Sequence, residues 1–242
     1  DRLGSVCRCI AIDIRGHGRS GLGDRPWRFA DIAADVAMLT RALQLEDPVL
    51  VGYSSGASIA MLAAIEEPAL YGGIVAVSAF SECCTTTMKL KVGLGLMALN
   101  LGLLRFIGPN IISSNSTGKA HTRAMLPDAK QVSPIALRSF FMETVRNNFT
   151  HRLHAIRVPV LLVYGTQDDW MHGYYRTLRE KLPDARAVFF PDVDHRVPTR
   201  RPDFFADAVA EFIARLDVAP FEEDLPVLPS YEHPGVEEYP LH

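Results

Sequence analysis

Four short runs of apolar residues constrain the fold of this chain more than any other feature. They lie at residues 48–53, 73–78, 158–165 and 186–190, and helical patterns lie between them. Strands that are apolar along nearly their whole length, alternating with helices, are typical of a parallel sheet covered on both faces. The sequence therefore predicts an α/β fold, with a mostly parallel sheet flanked by helices.

The start of the chain carries a fifth apolar run, at residues 6–12, which we interpret as another strand. A glycine-dense loop of sequence RGHGRS follows it. Beyond this loop, apolar residues three and four positions apart predict a helix that buries Ile32, Val36 and Leu39. Further helices are expected at 55–66, 171–182 and 202–216.

Two other segments suggest how the chain is divided. Residues 79–157 contain helical stretches and loops but no convincing strand. We therefore expect a helical cap at 79–157, inserted into a core made of 1–78 and 158–216. The final segment, 217–242, has five prolines, seven acidic residues and neither lysine nor arginine, which favours an extended acidic, proline-rich tail.

Composition argues against several classes of function. With a net charge of −3 and no run of basic residues, the chain shows no sign of a nucleic-acid partner. Its most apolar stretch, 92–104, is shorter than the roughly 20 residues that a membrane-spanning helix needs. We expect a small molecule as the partner and substrate; the sequence leaves the oligomeric state open.

The four cysteines, Cys7, Cys9, Cys83 and Cys84, lack the Cys-x-x-Cys spacing of a structural zinc site. We interpret them as free thiols, which fits a reducing compartment. No charged and then apolar leader opens the sequence. These features predict a cytoplasmic protein without a metal site.

The motif Gly52-Tyr53-Ser54-Ser55-Gly56 lies where a predicted buried strand meets a predicted helix. A nucleophilic serine needs this setting, because a sharp turn lifts its hydroxyl above the sheet and flanking glycines let the backbone approach closely. The N–H of Ser55 at the helix start can face a developing negative charge. Ser54 is therefore the candidate nucleophile, with a turn of small residues without chemistry as the alternative.

A serine hydroxyl needs a base, and the base needs a carboxylate. Of the eight histidines, His195 follows the predicted strand at 186–190, at the sheet edge where parallel sheets place their active sites. His17, in the glycine-dense loop, is its rival. Asp168 and Asp169 both follow the preceding strand, and either could serve. The order Ser, Asp, His along the chain is the one that this architecture imposes.

On these motifs the sequence resembles the α/β-hydrolase superfamily, in particular its capped, esterase-like branch with a serine nucleophile. The resemblance runs from about residue 6 to residue 216. It rests on the RGHGRS loop, the Ser54 motif, the strand before Asp168, Asp194-His195 where the family usually has Gly-His, and the sequence RPDF at 201–204.

The resemblance implies an α/β-hydrolase fold with a helical cap and a triad of Ser54, Asp168 and His195. It also implies that the Ser55 N–H belongs to the oxyanion hole and that no cofactor is required. The family's usual spacing after the strand-terminal glycine favours Asp168 over Asp169. A structural role for His17 follows from the same comparison.

The resemblance begins at the family's fourth strand. The first three strands have no counterpart in the sequence, and neither does the His-Gly segment whose N–H completes the family's oxyanion hole. We therefore expect an N-terminally truncated fold, taken from a longer reading frame, with one oxyanion donor from Ser55.

The leading hypothesis is hydrolysis of a small, mostly apolar carboxylic ester through an acyl-enzyme. Four residues are predicted to line the substrate pocket: Tyr53, Leu96, Phe140 and Trp170. One alternative is a cofactor-free haloperoxidase-type oxidoreductase with the same triad. Others are an amidase or aminopeptidase-like enzyme with an acidic anchor such as Glu143, and a non-enzymatic ligand-binding member of the fold.

Overall fold

A computed structural model describes residues 2–23 and 25–216, so the predicted tail at 217–242 lies outside the described residues. One parallel sheet, with strand order β1-β2-β3-β4, forms the centre of the described fold. Its strands are β1 (Val49–Tyr53), β2 (Gly73–Val77), β3 (Val160–Gly165) and β4 (Ala185–Phe190). The predicted α/β class with a parallel sheet is confirmed.

Helices connect and cover these strands. They are α1 (Phe29–Ala42), α2 (Ser55–Glu66), α3 (Thr86–Asn100), α4 (Leu104–Asn115), α5 (Lys119–Gln131), α6 (Pro134–Arg146), α7 (Asp169–Lys181), α8 (Val197–Arg200) and α9 (Pro202–Leu216). Short 3-10 helices span Leu3–Ser5 and Thr150–Ala155. Helices α3–α6 follow one another between β2 and β3. In the described part of the chain, no helix is both long enough and apolar enough to cross a bilayer.

The two central strands are buried on both faces, which explains their uninterrupted apolar sequences. Ile74 and Leu162 point to one face, where they pack in a core with Phe29 of α1 and Met61 of α2. Their neighbours in sequence point to the other face, which α8 and α9 cover and where Phe212 is buried. Alternate side chains of a strand lie on opposite faces, so a strand between two helical layers must be apolar throughout.

The strand predicted at residues 6–12 is wrong. This segment has no strand pairing, and Val6, Ile10 and Ile12 are exposed by 65%, 41% and 42%. The resemblance implies a further strand between this segment and β1, and the described residues supply none. β1 is therefore an edge of the described sheet, and no described strand lies beside the backbone at 6–12.

The RGHGRS loop that follows is held by contacts with two helices. The Arg15 guanidinium donates to the carboxylate of Asp35 on α1, with Nη2 and Oδ1 2.7 Å apart. The Gly16 carbonyl accepts a hydrogen bond of 3.0 Å from the N–H of Ser133, just before α6. The loop therefore joins α1 to the helices between β2 and β3.

Candidate active site

Polar residues follow all four strands at the same edge of the sheet. Ser54 follows β1, Ser78 follows β2, Asp168 lies in the loop after β3, and His195 lies in the loop after β4. Because the strands are parallel, their carboxyl ends meet at one edge, where open α/β sheets bind their ligands. The structure thus brings the three predicted residues together, with a serine that the sequence did not single out.

The turn at Ser54 has a backbone conformation that few residues other than glycine adopt, with φ 55° and ψ −120°. The Ser54 N–H donates to the Val77 carbonyl at 2.8 Å, which ties the turn to β2. Ser55 begins α2 directly afterwards, so its N–H has no acceptor within the helix. Strain of this kind is concentrated at functional turns.

Gly52 packs so closely against α2 that the motif requires glycine there. A Cβ at this position would lie 2.4 Å from the Gly56 oxygen and 2.5 Å from the Ala57 nitrogen. We expect Gly52→Ala to lower the free energy of unfolding by about 3 kcal/mol, because these backbone atoms cannot move aside as a flexible side chain can. Urea unfolding followed by circular dichroism measures the change.

Gly56, the other glycine of the motif, is the matched control. A Cβ there would meet nothing within 4 Å. Alanine is also the better helix former by about 0.5–1 kcal/mol. Gly56→Ala should therefore unfold at an unchanged or slightly higher urea concentration, and equal destabilisation by both substitutions would contradict the close approach at Gly52.

Backbone hydrogen bonds hold the loops of Asp168 and His195 against each other. The Gln167 N–H donates to the Val193 carbonyl at 2.9 Å, and the Thr166 N–H donates to the Phe190 carbonyl at 2.9 Å. Both bonds start in the loop after β3. One reaches Phe190, which ends β4, and the other reaches Val193 in the loop that follows it. The carboxylate and the imidazole are therefore positioned by the sheet and not by flexible connections.

A continuous chain of hydrogen bonds connects the three side chains. The Ser54 Oγ lies 3.0 Å from His195 Nε2, and His195 Nδ1 lies 2.9 Å from Asp168 Oδ2. A carboxylate accepts only, so Nδ1 carries the proton and Nε2 is left to accept from the serine hydroxyl. Asp168 is 1% exposed, and Asp169, at the start of α7, is exposed.

Ser78 is a further polar contact of the carboxylate. Its hydroxyl is fully buried and donates to Asp168 Oδ2 at 3.1 Å; the His195 carbonyl is farther away, at 3.4 Å. The second carboxylate oxygen, Oδ1, is buried without a hydrogen-bond partner among the described residues. Ser78 therefore shares with His195 the stabilisation of the negative charge. A lone serine after a strand has no sequence signature, so the sequence could not reveal it.

Removing the Ser78 hydroxyl should lower the activity of the site without abolishing it. If the site performs the ester hydrolysis predicted from the sequence, Ser78→Ala should lower kcat about tenfold with little change in KM, because the Ser78 hydroxyl helps to fix the orientation of the carboxylate that positions His195. A carboxylate without this donor interacts more strongly with the imidazolium, so the acidic limb of the pH–rate profile should move to higher pH. Steady-state kinetics as a function of pH measure both effects.

Ser58 is a suitable control for Ser78. It is also fully buried, and its hydroxyl donates to the Phe80 carbonyl at 2.6 Å, away from the carboxylate. Ser58→Ala should lower stability by about 1 kcal/mol and leave the pH profile in place. Identical pH profiles for Ser78→Ala and the wild type would refute the role given to Ser78.

Charged and aromatic neighbours surround the imidazole. Burial, together with the negative charges of Asp168 and Asp194, raises the pKa of Tyr53 to about 12, although Arg196 opposes this. The Tyr53 phenol is therefore neutral at the pH values at which a histidine can act as a base. Its ring centroid lies 5.2 Å from that of His195. Hydrogen bonds from the Arg196 side chain lower the pKa of Asp194 to about 2, so these two side chains form a persistent ion pair.

A cavity of about 340 Å³ opens beside the imidazole. It is lined by Lys91, Asn115, Gln167, Asp168, Trp170, Asp194, His195 and Arg196. Of the four residues predicted for the pocket, Trp170 lines this cavity, and Tyr53 contacts the His195 ring. Leu96 is half-buried on α3, and Phe140 packs against Phe29 with ring centroids 5.8 Å apart; neither belongs to this lining.

Two other residues considered in the sequence have partners away from the cavity. The His17 ring approaches Phe140, at 6.4 Å between centroids, and its Nδ1 lies 3.1 Å from the Arg15 carbonyl. The Glu143 carboxylate accepts a hydrogen bond of 3.1 Å from the N–H of Phe29 at the start of α1. Glu143 thus serves as an anchor for α1.

Relatives of this chain include enzymes with hydrolase names. It is 28% identical over 239 residues to a protein of Rhizobium rhizogenes named "Putative carbamate hydrolase RutD", with 90% of this chain and 87% of that protein aligned. It is 28% identical over 227 residues to the 2-(acetamidomethylene)succinate hydrolase of Mesorhizobium japonicum, covering 88% of this chain and 80% of that enzyme.

Solved structures share the fold at lower sequence identity. An esterase from Exiguobacterium antarcticum superposes with a TM-score of 0.72 at 14% identity, covering 84% of this chain and 80% of the esterase. MenH from S. aureus gives a TM-score of 0.70 at 18% identity, covering 85% of this chain and 82% of MenH. The sequence model of the alpha/beta hydrolase family matches residues 1–208. This chain belongs to the alpha/beta hydrolase family.

Proposed function

We propose that this protein is a serine hydrolase that cleaves a small carboxylic ester through an acyl-enzyme intermediate. The observation that carries the proposal is the chain of hydrogen bonds from Ser54 through His195 to the buried Asp168. Nucleophile, base and orienting carboxylate at these distances are what acyl transfer requires. The hydrolase names of the relatives support the reaction class.

In this mechanism the Ser54 hydroxyl attacks the acyl carbon while His195 Nε2 takes its proton. Asp168 holds the imidazole in the tautomer that can accept this proton and stabilises the imidazolium that forms. The imidazolium then gives the proton to the leaving alcohol, and the acyl group stays on Ser54. His195 then deprotonates a water molecule, which attacks the carbonyl carbon of the acyl-enzyme. The imidazolium returns this proton to Ser54 Oγ as the acid is released.

The developing oxyanion needs hydrogen-bond donors that are already in position. The Ser55 N–H is suited to this task, because it begins α2 and lies at the positive end of the helix dipole. Its side chain is buried, with the hydroxyl oxygen 3.3 Å from Thr144 Oγ1, which keeps this turn of the backbone in place. In this proposal residues 79–157 form the cap, since Lys91 and Asn115 line the cavity from that segment.

Carbamate hydrolysis is the second candidate, because the relative from Rhizobium rhizogenes carries that name. An aminopeptidase-like activity loses its candidate anchor, since the Glu143 carboxylate is engaged by the Phe29 N–H. A haloperoxidase-type reaction would use the same triad, and substrate comparison separates it from hydrolysis.

A panel of matched substrates tests the reaction class. We expect 4-nitrophenyl butyrate to be cleaved at least about 100-fold faster than butyric 4-nitroanilide, because the alcohol leaves more readily than the amine from the tetrahedral intermediate. Ammonia release from ethyl carbamate measures the second candidate. Faster cleavage of the anilide, or bromide-dependent halogenation with peroxide in the absence of ester cleavage, would overturn the esterase proposal.

A further inference from the structure

We propose that the substrate of this site carries a carboxylate and that the Lys91 ammonium binds it. The inference rests on the proposed function and names the substrate class of the same cavity. It replaces the expectation of a mostly apolar ester with that of an anionic one. The proposal rests on the lining of the cavity, because most of its side chains are polar or charged.

Lys91 is held at the cavity by the ring of Trp170. Its Nζ lies 4.0 Å from the ring centroid, and the His195 ring lies 5.2 Å from the same ring, measured between centroids. A cation over an aromatic face is attracted to the ring, which restricts an otherwise mobile lysine. The ammonium is therefore positioned one ring away from the proposed base, within reach of a small substrate.

Among the described residues that line the cavity, Lys91 is the charged side chain without an oppositely charged partner. Asp194 is paired with Arg196, and the Asp168 side chain has no exposed surface and interacts with His195 and Ser78. Within the described ranges, no ion pair joins a carboxylate to Lys91. An ammonium has three donors, and its contact with the ring face leaves donors for a carboxylate oxygen.

A second explanation is that Lys91 only joins α3 to α7 through its contact with Trp170. The two explanations differ in their dependence on substrate charge. A structural contact affects neutral and anionic esters equally. A binding contact affects the anionic ester selectively, and added salt weakens it because the residue is exposed.

Two acetate esters of similar size test the proposal: 4-acetoxybenzoate, which is anionic, and 4-acetoxybenzamide, which is neutral. We expect the wild type to favour the benzoate about tenfold or more in kcat/KM, as a charge-assisted hydrogen bond allows. In Lys91→Gln the ratio of the two values should fall to within about twofold of one. Lys89→Gln, an exposed lysine on the same helix outside the cavity lining, should keep the wild-type ratio.

The proposal is overturned if the wild type shows no preference for the benzoate, or if Lys91→Gln lowers both rates and leaves their ratio unchanged. Hydrolysis of neither ester would count against the serine-hydrolase proposal instead. In that case, saturation-transfer NMR can measure the binding of benzoate and of benzamide, and this measurement still decides the role of Lys91. Selective binding of benzoate that Lys91→Gln abolishes supports it, and equal binding of both compounds refutes it.

Discussion

Ser54→Ala is expected to lower kcat for 4-nitrophenyl butyrate by about 10⁶-fold, the size of the loss found when the nucleophile of a triad is removed. The reason is chemical: without the hydroxyl, His195 can activate only water, and no acyl-enzyme forms. The fold should change little, because the backbone already has a strained φ of 55° with serine at this position, and alanine meets the same strain. Initial rates over a range of substrate concentrations measure the loss.

Ser58→Ala serves as the control for this experiment, since it removes a buried hydroxyl from α2 that hydrogen-bonds to Phe80. It should retain wild-type activity within about twofold at a temperature where it is folded. If Ser54→Ala retained more than about a tenth of wild-type activity while folded, another residue would have to be the nucleophile.

Asp168→Asn is expected to lower kcat by about 10⁴-fold, which is the second-largest effect. The asparagine keeps the size of the side chain but can donate its amide N–H to His195 Nδ1. This favours the tautomer in which Nε2 carries the proton and can no longer accept one from Ser54. Steady-state kinetics at the pH optimum of the wild type measure the change.

Asp169→Asn is the matched control and decides between the two neighbouring carboxylates. Asp169 is exposed in the first turn of α7, and no hydrogen bond joins it to His195 in the described residues. Its substitution should change kcat by less than about twofold. A larger loss from Asp169→Asn than from Asp168→Asn would reverse the assignment.

The sequence predicted the parallel sheet and the order of its elements because burial on both faces imposes a recognisable pattern. Helix α2 begins and ends where the pattern from Ser55 to Glu66 predicts. The residues of the proposed triad were found because each follows a strand, and parallel strands bring such residues to one edge. The choice of Asp168 came from the family spacing and not from the residues themselves.

Other features required coordinates. The segment at 6–12 is apolar, but its sequence does not reveal whether a partner strand lies beside it. Phe140 has the same apolar character as a pocket residue, yet it packs against Phe29 in the core. Lys91 is one of two lysines in helix α3, and only its contact with Trp170 and its place in the cavity lining distinguish it from Lys89.

The nucleophile can be identified directly by reaction with diethyl 4-nitrophenyl phosphate. This compound phosphorylates an activated serine and leaves a stable adduct, which intact-mass spectrometry and peptide fragmentation locate. The account predicts one diethylphosphoryl group per chain, on Ser54, and no adduct in the folded Ser54→Ala variant. A folded wild type that hydrolyses 4-nitrophenyl butyrate without acquiring the adduct, or that acquires it on another residue, would contradict the assignment of Ser54 as the nucleophile.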